Sequence, residues 1–341
     1  MIPQPKESLI AGPRGRRLCW AVLDRLDGSP GLSPFSMWHF RQDPRGLSKT
    51  LESSLSIDLH RLAVLGNDEW LLNCVAESVN AARYWQDPDE LDLALADPRL
   101  TDPLGRVAEA IAASPAASWW SSGVDPENQV YLHWPDDGEP IPKLAGADVI
   151  LRNWREAVTA HGSWWWSVPL WLRLRGAEPY ESQRPKVAVT TRSLPYLGAV
   201  GLLLEEDSSG TPETQCWSVR SRHLPRTFEI DSASDWLELV DLFGIDVTRS
   251  VGDAWRFATG LEGPWLLPDW SSVAEDYDVV HLTINGYLTV SGRPLSLDSN
   301  HATFLAGWSP DRSYWLTDVL ELSGLAVPWE FDRHRWRRVQ R

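Results

Sequence analysis

The chain has 341 residues, of which 43% are hydrophobic and 23% charged, and it carries a net charge of −15. That balance describes a packed, water-soluble protein and excludes a disordered or collagen-like chain. The negative charge opposes a phosphate backbone, so general nucleic-acid binding is not expected. Three cysteines, Cys19, Cys74 and Cys216, make neither a disulfide framework nor a CxxC pair. Each reads as a small buried hydrophobe in a reducing, cytoplasmic setting. The N-terminal stretch has no apolar core of signal-peptide length, and the longest apolar run, Tyr196 to Leu204, is too short to cross a membrane.

Residues 1–17 are rich in proline and arginine and are expected to be flexible. A helical, tryptophan-rich domain is expected over 18–175. Its first helix spans Asn67 to Tyr84, with Asn67 or Asp68 as cap and Trp70, Leu71, Cys74, Val75 and Val79 at helical spacing. A second runs from Asp102 to Ala113, with Pro103 in its first turn, an inner stripe of Leu104, Val107, Ala108 and Ile111, and Pro115 beyond its end. The stretch VYLHW (130–134) reads as a strand and PDDGEPIP as the turn after it. A third helix covers Ala147 to Ala160, with Val149, Ile150, Trp154, Ala157 and Val158 facing inward and Gly162 as the stop.

The polar, proline-flanked segment 176–185 marks a boundary. A mixed α+β domain is expected over 186–330, with strands at 187–191, 200–204, 216–220, 226–230, 279–284, 302–307 and 313–320. Two short helices interrupt them, one from the Ser232 and Ser234 caps to Phe243 and one from Asp269 through Ala274. Residues 331–341 hold five arginines in the last nine positions and read as a solvated basic tail, with a grip on a phosphate or an acidic surface as its functional alternative. The whole is an α+β protein, mostly helical in its N-terminal part, with a mixed β-sheet and short helices in its C-terminal part. Twenty-one tryptophans, some in runs such as Trp119-Trp120 and Trp164-Trp165-Trp166, serve either as core-filling groups or as the lining of a groove for a flat ligand. Core filling is the expected use.

No phosphate-binding glycine loop, HExxH, GxSxG or paired CxxC motif is present, and the eight histidines lack ligand spacing, so no metal site is expected. Reactive side chains crowd the segment 263–292. His281 and Thr283 alternate on one face of a strand, with Asp276 and Asp278 just before it, a pattern suited to general acid–base work or to a buried histidine satisfied by backbone. Tyr287, Thr289 and Ser291 follow at period two and would line a polar pocket or bond across strands. Asp269 is expected to cap a helix. Trp308, Asp311 and Arg312 occupy a proline turn between strands, and Arg192 ends an early strand, where a guanidinium pairs with a carboxylate or phosphate. Glu205, Glu206 and Asp207 read as a solvated turn.

The order AESVNAARYWQDPDELD, SPAASWW, DSASDWLELV, WRFATG, PDWSSVAEDYDVVHLTINGYLT and AGWSPDRSYWL resembles a group of tryptophan-rich actinobacterial proteins over most of residues 70–320. That resemblance carries no activity with it. The order Arg192, then Thr289 or Ser291, then Asp311 or Asp318 is similar to that of ADP-ribosyltransferases, which hold and split NAD with an arginine, a Ser/Thr and a late glutamate. The chain departs from that pattern in having no Ser-Thr-Ser triplet and an aspartate at the late position. Two functions are therefore expected. One is an enzyme acting on a nucleotide-type small molecule, with NAD as the substrate the resemblance implies. Arg192, His281 and Asp311 would be its catalytic groups, and Tyr287, Thr289, Ser291, Trp308 and Trp270 its substrate-binding groups. The other is a non-catalytic acidic module, an inhibitor, immunity-type or regulatory protein, that binds a basic protein partner.

Overall fold

The computed structural model describes residues 8–27, 67–82, 87–134, 142, 144–160, 185–194, 197–206, 212–332 and 335–339. The Trp164–Trp166 run, Trp171 and the boundary segment 176–184 lie outside them. Helices dominate the N-terminal half: α1 (Pro13–Asp27), α2 (Asp68–Asn80), α3 (Glu90–Leu95) and α4 (Thr101–Ala112) precede strand β1 (Gln129–His133) and helix α5 (Ala147–Ala160). The C-terminal half then runs β2 (Ala188–Leu194), β3 (Gly198–Ala199), α6 (Val200–Leu203), β4 (Glu213–Ser221), β5 (Thr227–Ile230), α7 (Ala233–Phe243), β6 (Gly244–Asp246) and α8 (Thr248–Thr259). It ends with β7 (Leu266–Pro268), α9 (Trp270–Asp276), β8 (Val279–Leu282), α10 (Ile284–Val290), β9 (Pro294–Ser296), β10 (Ala302–Phe304), β11 (Arg312–Trp315), β12 (Leu320–Leu322), β13 (Val327–Asp332) and β14 (Arg335–Arg338). The protein is α+β, as its pattern of elements predicts.

Local chemistry explains several boundaries. Asn67 caps α2 by accepting from the Trp70 N–H at 2.9 Å. The stop at Ser232 places its hydroxyl against the Asp235 N–H at the start of α7. Helix α5 has the predicted ends, and its first amides are satisfied from far away: the Asp318 carboxylate accepts from Gly146 N–H (2.9 Å) and Ala147 N–H (3.0 Å). Its buried stripe is Ala147, Leu151, Trp154 and Val158, while Val149 and Ala157 are exposed. The inward face therefore lies about one position away from part of the predicted one.

The main sheet has the order β14-β13-β4-β1-β2-β11-β8-β5, with β12 also on β4 and β3 also on β2. Strand β1, from the helical half, lies in mid-sheet between β4 and β2. Every pair is antiparallel except β5–β8, whose partners Glu229↔His281 run side by side. One face of the sheet, with Phe228, Ile230, Val280, Leu282 and Tyr314, joins a core that runs without a break from α1 and α2 to β11. The other face covers a smaller cluster of Val219, Val279, Trp315, Val319 and Leu320.

The tryptophans fill that core. Trp236, Trp255, Trp265, Trp270, Trp308 and Trp315 are all fully buried. Trp270 and Trp308 lie 5.2 Å apart, and Trp308 lies 4.0 Å from Tyr314, with Trp236 and Trp154 completing the group. Each buried indole removes about 150–250 Å² from water, on the order of 4–6 kcal/mol before entropy. Two of these rings also satisfy their N–H groups, Trp236 on Thr303 Oγ1 (3.1 Å) and Trp315 on Thr190 Oγ1 (2.8 Å).

Four sequence expectations are corrected. Residues 8–17 are not frayed. Leu9 is buried and α1 packs on α10, where a Cβ on Gly12 would meet Leu288 O at 2.6 Å. Arg14 and Arg17 both bind Asp92, and Arg17 also binds Asp89, so arginines of the stretch expected to be flexible tie α1 to α3. The stretch 200–204 is largely the short helix α6, not a strand. The stretch from Ile284 to Val290 is also helical, with Thr283 Oγ1 capping the Gly286 N–H at 2.9 Å. Finally, the basic C-terminus is a strand, because β14 closes a hairpin on β13 at the edge of the sheet.

Candidate functional site

Arg192, His281 and Asp311 are far apart in sequence and meet where β2, β8 and β11 adjoin. Asp311 precedes β11 and is the single non-glycine residue with positive φ (54°) among the described residues. Aspartate tolerates that left-handed conformation better than most residues. Its carboxylate accepts from Thr191 Oγ1 (3.0 Å) and from the Arg192 N–H (2.9 Å), and it lies 3.5 Å from Arg192 Nε. It also lies 3.6 Å from His281 Nε2, an ion-pair contact longer than a hydrogen bond.

A fourth member, Glu229, was not singled out in the sequence. From β5 it bonds His281 Nδ1 at 2.6 Å through one oxygen and accepts the Val124 N–H at 2.8 Å through the other. Register makes this contact: residues paired directly across neighbouring strands point to the same face. The one available signal was the alternation in RTFEI, which puts Glu229 and Thr227 on one face of their strand.

The site is closed over by the segment 118–124. Arg192 donates to the carbonyls of Gly123 (2.8 Å) and Ser122 (3.3 Å), and its guanidinium stands 5.5 Å from the centre of the Trp119 ring. Gly123 lies close against Glu229: a Cβ there would sit 2.7 Å from Glu229 Oε1 and would push that carboxylate aside. His281 is 2% exposed and Asp311 3%. Burial opposes a charge on the imidazole, but the Asp311 and Glu229 carboxylates outweigh that penalty and raise the pKa of His281 to about 9. The ring is therefore an imidazolium at neutral pH, held between two carboxylates.

This arrangement limits the chemistry. Ser313 is directly opposite His281 on β11, so a serine, an imidazole and a carboxylate stand in one row across the sheet. A nucleophilic relay needs a ring nitrogen free to take the hydroxyl proton. Here both nitrogens face carboxylates, the ring carries its proton, and Ser313 Oγ is sealed from solvent. The geometry suits a charge cluster that fixes strand order around β8 and β11.

The remaining predicted residues do not join the cluster. Tyr287 is fully buried on α10 and donates to Glu206 Oε1 at 2.5 Å. Thr289 turns its hydroxyl onto Asn285 O (2.9 Å) of its own helix, and Ser291 is buried just beyond that helix. Because this stretch is helical, the three do not form the period-two face of a strand. Trp270 and Trp308 lie within the indole core, so neither presents a ring to a ligand. Arg312 pairs with Glu205 beneath Gly201. Glu206 is buried rather than a solvated turn residue. Asp269 caps α9 and pairs with Arg155 at 3.2 Å. Asp278 belongs to Arg226 (3.0 Å) and Thr317, not to His281. Asp318 serves α5, so of the ADP-ribosyltransferase-like order only Arg192 and Asp311 meet.

Among the described residues no group of three or more His, Cys, Asp or Glu side chains is placed to hold a metal ion, and no helix is long and apolar enough to cross a membrane. Compared with protein families, curated proteins and solved structures, the chain finds no match in any of the three, and a functional reading stands on its own residues.

Proposed function

We propose that the protein is a non-catalytic binding module whose acidic surface engages a basic protein partner. The observation that carries this reading is the outer face of α7. Leu242 is exposed on it beside the exposed carboxylates of Asp241 and of Glu238, one helical turn away. The end of α8 differs: exposed Phe257 and Leu261 precede Glu262, but the Arg256 guanidinium stands 5.1 Å from the centre of the Phe257 ring, so that patch carries both signs of charge. In this reading the apolar side chain supplies contact and the carboxylates around it steer a partner of opposite charge. The net charge of −15 adds long-range attraction for such a partner. Three thiols, each pushed up to about 12 by burial, are poor nucleophiles and suit a reducing cytoplasm.

The test is capture on the immobilised chain from native lysate at low and at high salt. A retained basic protein that elutes as salt rises supports the reading, since screening weakens attraction between exposed charges. A chain that retains nothing at low salt refutes it.

The meeting of Arg192, Asp311 and His281 favours a second reading, an enzyme acting on a nucleotide-type ligand with NAD as the candidate substrate. It requires the 118–124 segment to leave Arg192 and Glu229 so that a phosphate can reach the guanidinium. Nicotinamide released from NAD by the purified chain, and lost in Arg192→Ala, would support it. No release would remove it.

A further inference from the structure

The sheet ends on a strand of unusual charge for so acidic a protein. In β14 the sequence is Arg335-Trp336-Arg337-Arg338, and all three arginines are exposed. Arg337 pairs with Asp332 at 2.8 Å. Arg335 and Arg338 have no ion-pair partner among the described residues.

The backbone of this strand is half used. Val339 N–H donates to Pro328 O at 3.0 Å, which continues the β13–β14 register by one pair. Bonded pairs alternate along an antiparallel ladder, so Arg335 and Arg337 spend their amides and carbonyls on Asp332 and Glu330. Trp336 and Arg338 then direct theirs away from β13, on the side where no described strand follows. The hairpin is braced on the face that carries Trp336 and Arg338: Trp336 packs edge-on against Trp134 (5.9 Å) and Phe331 (5.5 Å), which keeps the strand in place.

We propose that β14 is a docking edge for an extended acidic segment of a partner protein, which adds to the sheet as a further strand. Open N–H and C=O groups of Trp336 and Arg338 supply ladder bonds, and Arg335 on one face of the strand and Arg338 on the other supply the charge that selects the segment. A second copy of this chain does not fit the edge, because two β14 strands side by side would bring arginine rows together about 5 Å apart. This surface is distinct from the acidic face of α7 and selects the opposite charge.

The probe is a fluorescently labelled, end-blocked octapeptide of repeating Val-Glu-Glu-Val, which carries glutamate on both faces of a strand, titrated by anisotropy against the full chain at low salt. Its valine–lysine counterpart and a version N-methylated at alternate residues serve as comparisons. The acidic peptide binds, the basic one does not, and N-methylation of the edge-facing amides removes binding. Arg335→Glu with Arg338→Glu weakens binding by about tenfold or more, with an unchanged melting temperature because both side chains are exposed. Failure of the acidic peptide to bind overturns the proposal, as does equal binding of acidic and basic peptides. Full binding of the N-methylated peptide would show charge adhesion without strand addition and overturns it equally. A chain that dimerises through this edge would do so too.

Discussion

Replacing His281 with glutamine isolates the energetic role of the charge cluster. The imidazole has its ordinary pKa of 6.5 in the unfolded chain and about 9 in the folded one. That difference is worth about 3 kcal/mol of folding stability. Because the folded value is the higher, the contribution is fully present below pH 6.5 and disappears as pH rises through 9. His281→Gln keeps one N–H donor for Glu229 and loses the titration. Urea midpoints of wild type and variant, measured from about pH 6 to about pH 10, should therefore converge: the wild type leads at the acid end by about 3 kcal/mol and loses that lead at the alkaline end. Asp311→Asn is the companion variant. Asparagine tolerates the positive φ, so the substitution removes a charge without straining the backbone, and the loss shifts to lower pH because one carboxylate no longer holds the proton. Parallel wild-type and His281→Gln curves across the whole range would refute the reasoning, for they would mean that folding leaves the pKa of the ring unchanged.

Three further outcomes follow from named contacts. Arg192→Ala strips the Gly123 and Ser122 carbonyls of their donor and weakens the pairing of Asp311, so it lowers stability by about 2–3 kcal/mol, read as a fall in the thermal midpoint. An unchanged midpoint would restore Arg192 as a group held ready for a ligand. Trp308→Ala empties the centre of the indole group and costs about 3–5 kcal/mol by chemical denaturation, whereas an effect below about 1 kcal/mol would place that ring outside the core. Asp92→Asn breaks the bridge from Arg14 and Arg17 to α3 and lowers stability by about 2–4 kcal/mol, with hydrogen exchange rising first in α1, and uniform protection of α1 in the variant would contradict that role.

Much of the fold was legible because its signals are local. Helix α2 declares itself by apolar spacing and its Asn67 cap, α5 by apolar spacing, and most strands of the sheet by short β-branched runs between turns. What failed was non-local. Helix α1 was hidden because its start is rich in proline and arginine, and the partners of those arginines, Asp89 and Asp92, lie more than 70 residues away. Tyr287, Thr289 and Ser291 suggested a strand because polar and apolar residues alternate there, but burial on every side removes the contrast that periodicity needs: each residue from Ile284 to Val290 is buried. The candidate site was half legible. Arg192, His281 and Asp311 were singled out by residue type, yet only the register of four strands reveals that they touch, and that Glu229 holds the far side of the ring. Trp270, Trp308 and Tyr287 were misplaced because sequence gives an aromatic residue no direction.

The central claim is that the exposed face of α7, not the buried charge cluster, is where the protein acts. The direct measurement is quantitative capture of partner from native lysate at low salt by the wild type, by the surface variant Glu238→Arg with Leu242→Arg, and by His281→Gln. The account predicts that the surface variant loses the partner at an unchanged melting temperature, while His281→Gln retains it below its own melting temperature. Retention by the surface variant, with loss in His281→Gln at a temperature where that chain is folded, would contradict it and return function to the cluster.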